Sequence, residues 1–280
     1  ALLQPLGQQL AQTPGLNLAE LFSARVAQRQ RAGDYPPQPV GPVVRESLLE
    51  PLPSTLEAYR ELLREYPRRL SVAPQVTLAT EAVGEAAGLA LEDSLDSLHQ
   101  GETSAGDPRL ARIVLLTSPV HQGKEWRWSQ LLRHWPAHLA LQLLQAGAPS
   151  YLVSPSGTLT LPGMSAEPAR TWLTRLLQAW HRGMHRPTPT HPELALPALG
   201  HYPPVTAEST AWPPEEAWQD RRLRDEWRRA WERLEQRNPL LLREFPRLES
   251  LLAAPDFAAA SLGLYADLHG WVSAEREEQS

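Results

Sequence analysis

The chain has 280 residues, enough for one large domain or two small ones, and 42% of them are hydrophobic, so a sizeable core can form. The formal net charge of −5 excludes a protein that holds nucleic acid through its overall charge; any such contact must come from a local patch. With no cysteine, disulfides, thiolate catalysis and cysteine-ligated zinc are excluded, and a reducing compartment fits.

Residues 2–31 read as helix in two parts, split at Thr13-Pro14-Gly15, with Asn17 as N-cap and Glu20 as its capping-box partner. Gly33-Asp34-Tyr35-Pro36-Pro37 closes that region. Helices over 43–49 and 54–66 follow, the second with Leu56, Tyr59, Leu62, Leu63 and Tyr66 on one stripe. The character then changes. Residues 75–79 alternate as a strand does, 89–98 is a short apolar stretch with acidic punctuation, and 112–117 is a β-branched run suited to a buried strand. Residues 101–108 form a polar loop or hairpin connection. These strands, near 75–79, 89–98 and 111–117, are expected to form one sheet.

Residues 126–144 predict a long helix, kinked at Pro136 because its ring interrupts the bond ladder. Tyr151-Leu-Val and Thr158-Leu-Thr-Leu161 flank Pro155-Ser-Gly157 as a hairpin. Ser165 is placed to cap the next helix, with Trp172, Leu173, Leu176, Leu177 and Trp180 on its buried face and Gly183 as its C-cap. Residues 187–214 read as a proline-rich connector. A helix from Pro213-Pro214 to about Arg237 follows, with Trp218, Leu223, Trp227, Trp231 and Leu234 inward. Shorter helices over 240–252 and 257–271 and a solvated tail at 275–280 complete the chain. The 28 prolines, about twice the average usage, sit mostly between periodic segments.

Three groups of side chains invite chemistry. His134 and His138, four apart on a helix, have the spacing with which two imidazoles share a metal, but Arg133 and Trp135 stand where an adjacent Glu would be needed. His138 is therefore expected to be structural, hydrogen-bonded beside the Trp135 ring. His181-Arg182-Gly183-Met184-His185-Arg186 is a basic helix end, which complements the helix dipole and offers Arg182, His185 and Arg186 to a phosphate or a partner surface. The arginine-rich helix 221–237 carries Trp227 and Trp231 on its apolar stripe, which marks them as core, with Asp225 and Glu226 paired to nearby arginines. The chain has neither a Gly-rich phosphate loop nor a Gly-x-Ser-x-Gly elbow.

The order of motifs over 126–187 resembles the C-terminal domain of the gamma chain of exodeoxyribonuclease V, the RecC family. The matching residues are Trp135, His138 and Leu139 in one helix, Ser156-Gly157 in a turn between strands, and Trp180, Gly183, Met184 and Pro187 at the end of the next helix. Gly33-Asp-Tyr-Pro36 and Pro39-Val-Gly-Pro42 match the family less fully. The resemblance implies a mixed α+β fold with a restriction-endonuclease-like core, a small central sheet flanked by helices, and further N- and C-terminal helices. The whole of 1–280 would be one such domain: a helical part over 1–70, the nuclease-like core over 71–187, the connector over 188–214 and C-terminal helices over 215–280. The helicase-like domains that precede this region in the family have no counterpart here, so the chain reads as an excised domain or a free-standing relative.

Nucleases with that core carry an Asp on one strand and, on the next, an Asp or Glu followed by one residue and a Lys; together they hold Mg²⁺. The resemblance places the first acid at Asp96, a remnant. The second strand, expected over 113–120, has no acid and no Lys, and Lys124 follows it in a turn. No catalytic residue, metal or cofactor is therefore assigned. The family implies a non-catalytic interaction and strand-guiding domain in double-strand-break repair, with RecB-like and RecD-like subunits and DNA ends in the assembled complex as partners. Two alternatives stand beside it. One is a divergent Mg²⁺ nuclease pairing Asp96 with Glu92, Asp93 or Asp107, and the other is a protein-only scaffold. No apolar run approaches the roughly 18 residues that span a bilayer, and the start of the chain lacks a basic segment followed by an apolar one, so a cytoplasmic protein without a membrane partner is expected.

Overall fold

A computed structural model describes residues 28, 31–32, 52–80, 88–122, 125–203 and 212–278. The expected helix over 43–49, the Gly33–Pro42 turns, Lys124 and all but a few residues of the expected 2–31 helix lie outside these. The chain divides into two compact units, Ala1–Val76 with Glu92–Ala169 and Thr77–Leu91 with Arg170–Ser280.

The first unit is a mixed α+β structure. Its helix α1 (Leu52–Glu65) precedes strands β1 (Arg68–Arg69), β4 (Leu98–Glu102), β5 (Pro108–Leu115), β8 (Ser150–Ser154) and β9 (Gly157–Leu161), which form a five-stranded sheet in that spatial order. β4 pairs antiparallel with β1 and β5, β5 pairs parallel with β8, and β8 pairs antiparallel with β9. The parallel pair needs a crossover, and helix α2 (Trp128–Leu144) provides it.

The pleat assigns the two faces. Leu56 and Tyr59 of α1 pack with Tyr66, Ala111, Ile113 and Val153, so α1 covers the face to which those strand residues point. Arg112 and Ser150, paired across β5 and β8, point to the other face, where His138 of α2 meets Ser150. Helices thus lie on both sides of the sheet. On the α1 side, Arg109 stacks 4.7 Å over the Tyr66 ring and pairs with Glu65 at 2.5 Å. Gly101 lies so close to the Glu65 carbonyl that a side chain has no room there.

The expected single sheet is corrected. Among the described residues β2 (Gln75–Ala79) and β3 (Ala90–Ser94) pair only with each other, as a separate two-stranded sheet. The stretch expected as one strand over 89–98 ends at Ser94, and a new strand, β4, starts at Leu98. Ser97 between them has φ +60°, a left-handed conformation that no continuous strand contains. Trp126 lies not in a helix but in β7 (Glu125–Trp126), which pairs with β6 (His121–Gln122). The hairpin at Pro155-Ser156 forms as expected. Gly157 there has φ +117°, and the Ser156 hydroxyl accepts the Val120 and His121 amides at 3.0 and 3.3 Å.

The second unit is helical apart from its share of the β2–β3 hairpin. It holds α3 (Ala166–His185, first turn in the first unit), α4 (Pro192–His201), α5 (Glu215–Gln219), α6 (Arg221–Arg237), α7 (Pro239–Glu244), α8 (Leu248–Leu252) and α9 (Phe257–Ser261). A π-helical turn over Leu262–Ala266 follows, and then α10 (Asp267–Glu278). The expected 188–214 connector is corrected, since it contains α4, whose Leu194, Ala195, Leu196, Ala198 and Leu199 are all buried. Pro192 is harmless at the start of a helix, where an amide has no partner in any case. The expected single helix from 213 to 237 is two, separated at Asp220. Its carboxylate caps α6 by accepting the Arg222 and Leu223 amides at 2.8 and 3.2 Å. Trp227, on the buried stripe of α6 with Leu223, Trp231 and Leu234, donates to the Leu194 carbonyl at 2.8 Å. Trp218 is partly exposed, not inward. The expected tail at 275–280 is helical as far as Glu278.

Candidate functional site

On the α2 side of the sheet the first unit buries a set of polar groups. Trp135 and His138 stack, with ring centroids 5.6 Å apart. Both are buried, with Leu139 beside them. His138 Nδ1 lies 2.9 Å from the Ser150 hydroxyl on β8. Burial lowers the His138 pKa to about 4, against the pull of the Pro162 carbonyl, and the Arg112 charge adds to the lowering. His134, one turn earlier, is likewise held at about 4 by burial, then by Arg112 and Arg133. Both rings are neutral near pH 7; His138 serves as a packed, hydrogen-bonding side chain and His134 as a packed one.

Pro136 lies inside α2 without ending it. The other end of the helix is fixed by Gln142, a residue the sequence reading passed over. Its Nε2 donates to the His138 and Ala148 carbonyls, and its Oε1 accepts the Gly147 and Met164 amides.

Asp96 stands just before β4, and its carboxylate is 71% exposed. The residue that reaches it from the next strand is Arg112, whose Nη2 lies 3.7 Å from Asp96 Oδ1 with only 7% of the side chain exposed. The second strand runs over 108–115 rather than 113–120, and it contains neither an acid nor a Lys. The Nε and Nη1 of Arg112 and the Nε2 of His134 are buried without a hydrogen-bond partner. Fixed positive charge, not a pair of carboxylates, therefore faces Asp96. Glu92 and Asp93 are exposed on β3, where Asp93 accepts the Ser94 amide at 2.7 Å, and Asp107 is in the β4–β5 loop. Among the described residues no group of three His, Asp or Glu gathers to hold a metal ion.

The end of α3 differs from expectation. Trp180 and Met184 are 58% and 67% exposed, so the apolar stripe continues past its cover. Gly183 does not cap the helix, which runs on to His185. A Cβ there would meet the Thr188 hydroxyl at 3.2 Å, so close packing against the returning chain suits glycine at this point. His185 sets its ring edge against His181 at 4.7 Å. Arg186 is not without an acid, because it pairs with Asp256 at 3.3 Å. Pro187 follows and is exposed.

The sheet with helices on both faces defines a mixed α+β protein in which one strand-edge acid faces a guanidinium. The family model of the RecC C-terminal domain matches residues 4–202, and the chain belongs to that family. Membership ties it to the gamma subunit of the exodeoxyribonuclease V complex. No curated protein matches the chain. Among the described residues no helix is long and apolar enough to cross a membrane.

Proposed function

We propose that this chain is a non-catalytic interaction and strand-guiding domain of the gamma subunit of a RecBCD-type helicase–nuclease, acting in the cytoplasm in double-strand-break repair. It takes the RecB-like and RecD-like subunits as protein partners and DNA ends as the substrate of the assembly. We read its first unit as a restriction-endonuclease-like core that has lost its metal site. One observation carries the reading. Arg112 occupies the strand beside Asp96 where a nuclease needs its second carboxylate, and a guanidinium there repels Mg²⁺. The rival is a divergent nuclease pairing Asp96 with Glu92, Asp93 or Asp107; Glu92 and Asp93 stand exposed on β3 and Asp107 in the β4–β5 loop, whereas Arg112 is the residue that reaches Asp96.

The test is co-purification of the chain with full-length beta and alpha subunits, with and without duplex DNA ends. Stable capture by the subunits is expected, and failure to bind either one removes the proposal. In parallel, the chain with Mg²⁺ or Mn²⁺ is expected to leave linear duplex and single-stranded DNA intact. Metal-dependent cleavage that disappears in Asp96→Ala establishes the enzyme instead.

A further inference from the structure

Within the second unit a pocket of about 130 Å³ opens beside the last turns of α3. Ala179, Ala259, Ala260 and Leu264 supply apolar lining, and Arg182, Arg186 and Asp256 are its charged residues. Leu264 belongs to the π-helical turn, the kind of helix irregularity that often re-aims side chains at functional sites. A cavity of this scale accepts a group such as benzene or a branched aliphatic side chain. The charged groups are unequal. Arg186 is engaged by Asp256 at 3.3 Å, whereas among the described residues Arg182 has no acid partner. The lining thus combines room for one apolar group with one uncommitted cation.

We infer that this pocket docks a peptide segment of a protein partner, one that inserts an aliphatic side chain and presents a carboxylate to Arg182. The alternative occupant, a nucleic-acid backbone, fits less well. Phosphates gain nothing from an apolar lining, which an aliphatic side chain of a peptide fills. The inference deepens the interaction-domain reading and rests on it, assigning the basic end of α3 to a subunit contact rather than to a phosphate. Charge complementarity on the rim sets specificity, and the buried aliphatic group provides the anchor.

The test uses the full chain with ¹³C-labelled methyl groups and three probes. These are the capped peptide Gly-Glu-Leu-Glu-Gly, the same peptide with Ser in place of Leu, and a twelve-residue thymidine oligonucleotide. The leucine peptide is expected to shift the Leu264 and Ala260 methyl resonances in a saturable way, and the serine peptide and oligonucleotide to leave them unmoved. Arg182→Glu, at an exposed position, is expected to weaken the leucine peptide at least tenfold while the remaining spectrum stays native. Filling the pocket with Ala260→Leu is expected to abolish the shifts. No response to the leucine peptide, an equal response to the oligonucleotide, or an Arg182→Glu variant that binds normally each overturns the inference. Because the probes need no subunits, peptide binding without subunit capture refutes the interaction-domain reading and leaves the site standing.

Discussion

Trp135 is 2% exposed and stacks on His138, whereas Trp180, in the next helix of the same motif, is 58% exposed. Trp135→Ala should cost about 3–5 kcal/mol in urea unfolding, the cost of emptying a large buried aromatic site. Trp180→Ala should stay within about 0.5 kcal/mol, as surface changes do; a large loss at Trp180 would mean that it is covered in solution. The buried histidines make stability depend on pH. His99, His134 and His138 are each lowered to about 4, chiefly by burial. Their folded values lie below the unfolded value near 6.5, so the unfolded chain binds their protons first. Their contribution is complete above pH ~6.5 and is lost as pH falls toward 4, with a slope of about 1.4 kcal/mol per pH unit for each histidine. Urea midpoints at pH 7 and pH 5 should differ accordingly, and His134→Gln should shrink the difference. Arg112 gives the least intuitive outcome. Among the described residues its only ion-pair partner is an exposed acid, and its Nε and Nη1 are unpaired. Arg112→Met should therefore be neutral or stabilising by about 1–4 kcal/mol. A clear destabilisation in the same measurement would show that the guanidinium is better satisfied than its single ion pair with Asp96 implies.

At the scale of elements, the meeting of α1 and β4 depends on Gly101. A Cβ there falls against the Glu65 carbonyl and 3.3 Å from the Tyr66 ring. Gly101→Ala should cost about 1–3 kcal/mol through overpacking, and amide exchange should quicken first in α1. An unchanged exchange profile would mean that the helix end yields without loss. The elements themselves were legible where periodicity and turn chemistry agreed. Leu56, Tyr59 and Tyr66 made one stripe, and Pro155-Ser-Gly157 between β-branched runs made a hairpin. They were illegible where those signals conflicted. Pro192 and Pro197 hid α4, because a helix with five buried apolar residues and few polar ones shows little polar face to reveal its period. The run over 89–98 concealed a break at Ser97 that only the backbone conformation reveals.

For the molecule as a whole, the net charge of −5 predicts weak binding of isolated chain to duplex DNA at physiological salt. Fluorescence anisotropy with a labelled duplex should find micromolar affinity or weaker; nanomolar binding would require a basic surface that the charge balance does not suggest. The sequence by itself determined the family, the α+β class and the lack of an acid on the strand after Asp96, because these depend on residue types in linear order. The tertiary structure decided what faces Asp96, since Arg112 reaches it only through the β4–β5 register, in which Leu98 pairs with Arg112. It also decided how far the cover over α3 extends. Helical spacing assigns Trp180 to the apolar stripe, but whether a stripe is buried depends on the neighbouring chain, which spacing along one helix does not encode.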